Sequence, residues 1–185
     1  HAGTLDPLAT GLLVICTGKM TKQIDTFQGQ IKEYTGTLVL GSTTPSFDLE
    51  TEINETFPTE HISEDLIYET TNQFIGEIQQ LPPVFSALKK DGKRLYEFAR
   101  AGEQVDIPSR AVNILEFEIT KIDRLNLDFR VICSKGTYIR SLANDFGKAL
   151  NSGAHLSALR RTKIGDFDVT SATSIEDFIK NLSSE

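Results

Sequence analysis

Residues 113–133 read NILEFEITKIDRLNLDFRVIC. Apolar and polar side chains alternate through 113–122 and again through 126–133, the period of two expected of strands with one face on a core and the other toward water. After residues 134–137, Ile139, Leu142, Ala143, Phe146 and Leu150 recur at helical spacing and define a helix with one buried side. A further short helix is expected over 175–182. Upstream, a short helix over 95–100 ends at Gly102, and PPVFSALKKDGKR (82–94), broken by two prolines, reads as an ordered loop or hairpin turning at Asp91-Gly92. Ser63 caps a helix carrying Leu66, Ile67, Thr70, Phe74 and Ile75 on one stripe, with Gly76 as its end. KEYTGTLVL (32–40) is rich in β-formers and reads as a strand closed by Gly41. Residues 45–60 form an acidic, turn-rich connector, 20–27 a helical turn or two ending near Gly29, and 12–16 a short buried strand. Strands stand before and after helices without a βαβ rhythm. The expected class is therefore α+β, with a largely antiparallel mixed sheet flanked by helices and loops.

Composition narrows the function classes. A chain of 185 residues, 39% hydrophobic and 24% charged, has the size and make-up of one globular domain, here 1–185. Its longest apolar runs, such as 12–16, fall far short of the ~20 residues that cross a bilayer, and no signal segment opens the chain. A soluble, cytoplasmic protein is expected. The chain starts at His1, inside a motif and without an initiator Met, so an N-terminal segment is expected to be missing. Cys16 and Cys133 lie in apolar runs without CxxC spacing and read as buried, reduced thiols. His1, His61 and His155 are scattered without carboxylates at ligand spacing, which disfavours a metal site. GLLVICTGKMT fails as a phosphate loop because six residues, not four, separate its glycines. No GxSxG supports a serine hydrolase.

The formal net charge of −7 conceals a segregated distribution. Residues 35–88 hold nine acids and no Lys or Arg, so the remainder of the chain carries a net +2. Binding responds to the local field of a surface rather than to the sum, and two basic clusters stand out: Lys89, Lys90, Lys93 and Arg94, then Arg160, Arg161 and Lys163.

The chemistry concentrates at the start, HAGTLDPLATGLL (1–13), where Asp6 stands between Leu5 and Pro7 with Gly3 and Gly11 on either side. An Asp-Pro pair also serves an ordinary turn. Yet glycines allow close approach of backbone to a ligand and Pro7 fixes the dihedral after the acid, so the loop suits a carboxylate held for nucleophilic or general-base work.

HAGTLDPLATGLL resembles the catalytic motif of the TruB family of tRNA pseudouridine synthases. The likeness extends through KEYTGTLVLG (32–41), PPVFSALKKDGKRLYEFARAG (82–102), CSKGTYIRSLANDFG (133–147) and GAHLSALRRTKIGDF (153–167), five segments in the family's order. The resemblance implies a pseudouridine synthase fold and isomerisation of uridine 55 in the tRNA T-loop, by an enzyme that detaches uracil from C1′, rotates it and rejoins it through C5. It implies no cofactor and no metal. Asp6 corresponds to the essential aspartate, Tyr34 to the strand tyrosine that stacks on the flipped base and handles the C5 proton, and Arg140 to the arginine that pairs with the aspartate. Tyr138 and Leu159 match residues lining the uridine pocket, and His1 the histidine that fills the gap left by the flipped nucleotide. Asp48 aligns with an aspartate near the bound loop, although Thr44-Pro45-Ser46 stands where Thr-Asp-Thr is usual. Lys89, Lys93, Arg94, Arg160 and Arg161 are expected on the RNA backbone, where phosphate contacts offset the few kcal/mol needed to unstack the base. The family's lysine-rich N-terminal motif is absent, and no appended domain is read after Phe167. A monomer without an obligate protein partner is expected, contacting the T-arm. Two other readings share the scaffold: a guide-RNA-dependent synthase of H/ACA particles, and a non-catalytic tRNA-binding or folding module.

Overall fold

The alternating stretch forms β8 (Arg110–Asp123) and β9 (Asn126–Cys133), paired antiparallel from Ile114↔Cys133 to Asp123↔Asn126 in a computed structural model of the chain. The structure describes residues 1–86, 88–90, 92–103 and 106–182. Arg124 begins the two-residue link between these strands at φ 57°, in the left-handed region that short hairpin loops demand. Leu127, Phe129, Val131 and Cys133 point to one face and are buried, as the alternation requires.

Around this hairpin stand β1 (Thr10–Gly11), β2 (Lys32–Leu40), β5 (Gly76–Gln80), β10 (Ala154–Ile164) and β11 (Phe167–Asp168). The sheet order is β1-β10-β2-β9-β8-β5, with β11 added to β10. Among the described residues only the β1–β10 pair is parallel, in the register Thr10↔Arg160 and Gly11↔Arg161. Among the described residues two small ribbons lie outside the sheet, β3 (Ser42–Thr43) with β4 (Glu55–Thr56) and β6 (Lys89–Lys90) with β7 (Lys93–Arg94). The latter realises the hairpin expected over 82–94, although Asp91 of its turn lies outside the described residues. The helices are α1 (Ile24–Gly29), α2 (Glu64–Thr71), α3 (Leu95–Ala101), α4 (Ile139–Ala149) and α5 (Ile175–Leu182). The expected α+β architecture with a largely antiparallel mixed sheet is observed.

Helix α4 lays Ile139, Leu142, Ala143 and Phe146 on the sheet, and Leu150 follows on the same side. Phe146 meets Phe117 edge-on at 5.4 Å between ring centroids, and Phe117 meets Phe129 at 6.1 Å, an arrangement that adds to the area buried. This packing seats α4, whose first turn carries Arg140, on β10.

Four local expectations are corrected. Residues 12–16 are not a strand: Gly11 sits at φ 105°, which breaks the extended run, and Leu13 and Ile15 are exposed. Cys16 is accordingly only half-buried, whereas Cys133 is buried. Helix α2 stops at Thr71 rather than near Gly76, with the Thr70 and Thr71 hydroxyls bonded back to the Leu66 and Tyr68 carbonyls. Phe74 reaches the core from a 3₁₀ turn, Ile75 faces solvent, and Gly76 opens β5.

Candidate active site

The Asp6 loop is irregular between two fixed ends. Ala2 N–H donates to the Val14 carbonyl at 2.9 Å, Leu12 N–H to the Arg161 carbonyl at 2.9 Å, and Ala9 N–H closes a turn on the Asp6 carbonyl at 2.9 Å. Pro7 occupies the first corner of that turn, where its fixed φ is favourable. Gly11 is required for space as well as conformation, because a Cβ there would stand 2.2 Å from the Arg161 carbonyl oxygen.

Arg140 projects from α4 onto this loop as a fork. Its Nε donates to Asp6 Oδ2 at 3.0 Å and its Nη2 to Asp6 Oδ1 at 2.7 Å, while Nη1 donates to the Ser46 carbonyl at 3.2 Å. The guanidinium side chain is 2% exposed and the Asp6 side chain 31%, so the carboxylate is gripped from behind and open in front. Bidentate pairing of this kind fixes direction as well as charge. Asp48 approaches the same nitrogen, its Oδ2 3.7 Å from Arg140 Nε. Its turn is tied by two hydroxyls: Thr44 and Ser46 both donate to the Asp48 carbonyl, at 2.6 and 3.1 Å.

Asp6, Tyr34, Tyr138 and Leu159 line one recess, together with Thr4, Leu5, Thr137 and Ile139. The recess adjoins a cavity of about 550 Å³ whose wall again includes Asp6, Tyr34, Tyr138 and Arg140. Burial raises the Tyr34 phenol above its ordinary value, helped by Cys133 and opposed by Arg161, so the hydroxyl keeps its proton at neutral pH. Tyr138 is held by its backbone: Gln80 accepts from its N–H at 2.7 Å and donates to its carbonyl at 3.0 Å. The recess thus offers a fixed carboxylate, a protonated phenol and a second ring around a space open to solvent.

Other expected residues divide. Lys93 and Arg94 are exposed on β7, with the Lys93 ammonium 5.6 Å from the Phe98 ring centroid. Arg160 is exposed beside Thr10. Lys89 lies in β6, but its side chain is outside the described residues. His1 is exposed and lines neither the recess nor the cavity. Arg161 corrects its assignment. It is 2% exposed, and its guanidinium donates to the carbonyls of Leu12 at 2.9 Å, Gly3 at 3.1 Å and Thr4 at 3.5 Å. A side chain so enclosed fastens both legs of the Asp6 loop and is not presented to a phosphate.

The sequence reading missed Lys32, Arg110 and Lys135, which join Arg140 and Arg161 in the cavity wall. Among the described residues, five cations and one carboxylate thus line the cavity, but Lys32, Arg140 and Arg161 are buried and already bonded to protein groups. Arg110 stands 5.6 Å from the Tyr138 ring centroid, a cation on an aromatic face. Burial, then the charge of Arg161, lower the Lys32 ammonium, which donates to the Gln28 and Gln30 carbonyls.

A family model described as TruB family pseudouridylate synthase (N terminal domain) matches residues 1–139, three quarters of the chain. The chain belongs to the TruB family. A second model, tRNA pseudouridylate synthase B C-terminal domain, matches 140–184. The division falls between Ile139 and Arg140, yet β10 of the second part lies between β1 and β2 of the first, so both TruB segments build one sheet. Among curated relatives, tRNA pseudouridine synthase B of Flavobacterium johnsoniae is 69% identical over 98% of this chain and 80% of its own length. Its namesake in Phocaeicola vulgatus is 57% identical over 96% of this chain and 76% of its own. Among solved structures, a Cbf5-Nop10-Gar1 complex contains a chain with TM-score 0.72 and 30% identity, covering 97% of this chain and 44% of that one. An H/ACA RNP bound to a substrate RNA containing 2′-deoxyuridine gives TM-score 0.69 at 27% identity, covering 97% and 43%. This TruB chain thus spans less than half the length of the solved chains it matches.

Proposed function

We propose that this chain isomerises uridine 55 in the T-loop of tRNA to pseudouridine, with Asp6 as the catalytic carboxylate. The observation that carries the reading is the buried Arg140 fork on Asp6 at the mouth of a recess shared with Tyr34, Tyr138 and Leu159. Uridine and pseudouridine have the same atoms, so the reaction needs a group that assists breaking of the C1′–N1 bond and making of the C1′–C5 bond, and no co-reactant. Asp6 is oriented for this before substrate arrives, which lowers the reorganisation required in the transition state. Tyr34 and Tyr138 offer ring faces to a base taken out of its stack, and Arg110 and Lys135 in the cavity wall attract its phosphates. Likeness to relatives named tRNA pseudouridine synthase B supports tRNA as the substrate. The reading extends to a monomer working on the T-arm in the cytoplasm, with the chain as one catalytic unit; no helix among the described residues is long and apolar enough to cross a membrane.

The test is incubation of an unmodified tRNA transcript with the protein alone, followed by mapping of pseudouridine. Product at position 55 is expected. Product only with an added guide RNA would favour the H/ACA-type reading, and binding without product a non-catalytic module. Asp6→Asn is expected to abolish product while T-arm affinity stays within about tenfold, or ~1.4 kcal/mol. Turnover by a verified Asp6→Asn preparation would remove Asp6 from its role.

A further inference from the structure

Ser86 closes one side of the cavity that holds Asp6, Tyr34, Tyr138 and Arg140. Its backbone is fixed at both ends: its N–H donates to the Val84 carbonyl at 2.9 Å, and its carbonyl accepts from Tyr96 N–H at 3.1 Å. The residue is 4% exposed, yet among the described residues its Oγ has no hydrogen-bond partner. Other buried serines differ. Ser141 donates to the Leu81 carbonyl at 2.7 Å, Ser152 to the Pro58 carbonyl at 3.0 Å, and Ser46 to the Asp48 carbonyl at 3.1 Å. An unsatisfied buried hydroxyl is a net cost to the folded state, and one in a residue that lines a cavity calls for a partner that the protein itself does not supply.

We propose that the Ser86 hydroxyl is a hydrogen-bond partner of the nucleotide occupying this cavity, an inference that rests on the uridine-isomerising reading above. A hydroxyl donates to a uracil carbonyl or accepts from a ring N–H, and it turns between these roles without moving its backbone. It can therefore follow a base that is detached, rotated and rejoined. Ser86 is a substrate-contacting residue on this account, and its worth appears only with RNA bound.

The consequence is a pair of effects of opposite sign. Ser86→Ala removes the orphan, so Tm of the free protein is expected to stay level or rise, while kcat/KM on the tRNA transcript falls about three- to tenfold, the range of one hydrogen bond. Ser86→Cys keeps the volume but bonds weakly, and is expected to behave like Ser86→Ala. The proposal is overturned if both variants keep kcat/KM within twofold of the parent, if Tm falls clearly, or if Ser86→Cys restores the activity that Ser86→Ala loses, since that would make Ser86 a packing residue. Parent turnover is scored separately and judges the proposed function. Were the parent to make no pseudouridine, affinity for a T-arm stem–loop would decide Ser86 on the same criteria, a threefold or greater loss supporting it and an unchanged affinity overturning it.

Discussion

Arg140 and Arg161 are each 2% exposed, and each is directed at the Asp6 loop, one at the carboxylate and the other at the chain that carries it. Lysine cannot replace Arg161, because a single ammonium does not span the Gly3, Thr4 and Leu12 carbonyls as a planar fork does. Arg161→Lys is expected to destabilise by ~1–3 kcal/mol, the cost of weakening buried charged hydrogen bonds, and to lower kcat more than it raises KM. Urea unfolding and single-turnover kinetics measure the two separately. An unchanged kcat in folded protein would reduce Arg161 to a structural tie. Tyr34→Phe keeps the ring and removes the phenol that burial keeps protonated, so T-arm binding is expected to persist and product to fail. Equal activity in Tyr34→Phe and Tyr34→Ala would release Tyr34 from the site. That Asp6, Tyr34, Tyr138 and Leu159 lie around one recess, with Arg140 on Asp6, was legible because motif resemblance picks out individual positions. The place of Arg161 was not. In sequence it reads with Arg160 and Lys163 as one basic patch, whereas neighbours on a strand point to opposite faces, and here Arg160 meets solvent while Arg161 is enclosed.

At the scale of elements, legibility followed sequence pattern. Strand β9 announced itself by strict alternation of burial, KEYTGTLVL by its β-forming residues, and α4 by apolar residues at helical spacing on its buried side. Strand β10 did not, since it buries His155 and Arg161, so the polarity of its sequence does not follow the face each residue takes. Nor did β5, whose five residues begin at a glycine with φ 96°. The face of the sheet away from α4 is tied by polar side chains instead. Arg130 bridges Glu33 at 2.7 Å and Glu116 at 2.6 Å, and Thr162 donates to Glu33 at 2.8 Å, linking β10, β2, β9 and β8 in one line. Burial alone would push the Glu33 carboxyl up, but hydrogen bonds from Thr162 and Arg130, with the charges of Arg130 and Lys163, outweigh it and hold the carboxyl below its ordinary 4.5. A depressed carboxyl stabilises the fold fully above its unfolded pKa, and the contribution is lost as pH falls through the folded value. The stability difference between the parent and Glu33→Gln is thus expected to be level above pH ~5 and to shrink below it, with a plateau of at most about 1 kcal/mol for so exposed a network. Urea titrations at several pH values measure it; a difference that grows on acidification would contradict the assignment.

Over the whole molecule, sign of charge is separated by place. The acidic chain between 35 and 88 supplies the first turn of α2, where Glu64 and Asp65 are exposed at the helix N-terminus, and the turns between β3 and α2. The cations gather at the cavity wall and on β7, so an overall charge of −7 does not describe the surface an RNA would meet. Binding should therefore weaken with salt as it does for a basic protein, with log affinity falling against log salt by about 0.9 per phosphate contact on duplex and about 0.7 on single strands. Lys93→Ala with Arg94→Ala is expected to flatten that slope by roughly one to two units. Glu64→Ala with Asp65→Ala is expected to leave it nearly unchanged, although net charge shifts by the same amount in the opposite direction. The residues of both pairs are exposed, so neither double variant opens a cavity in the core. T-arm affinity measured across a salt series for the three proteins decides between location and sum. Equal and opposite slope changes would mean that total charge governs association, and the β7 ribbon would then have no special claim on the phosphates.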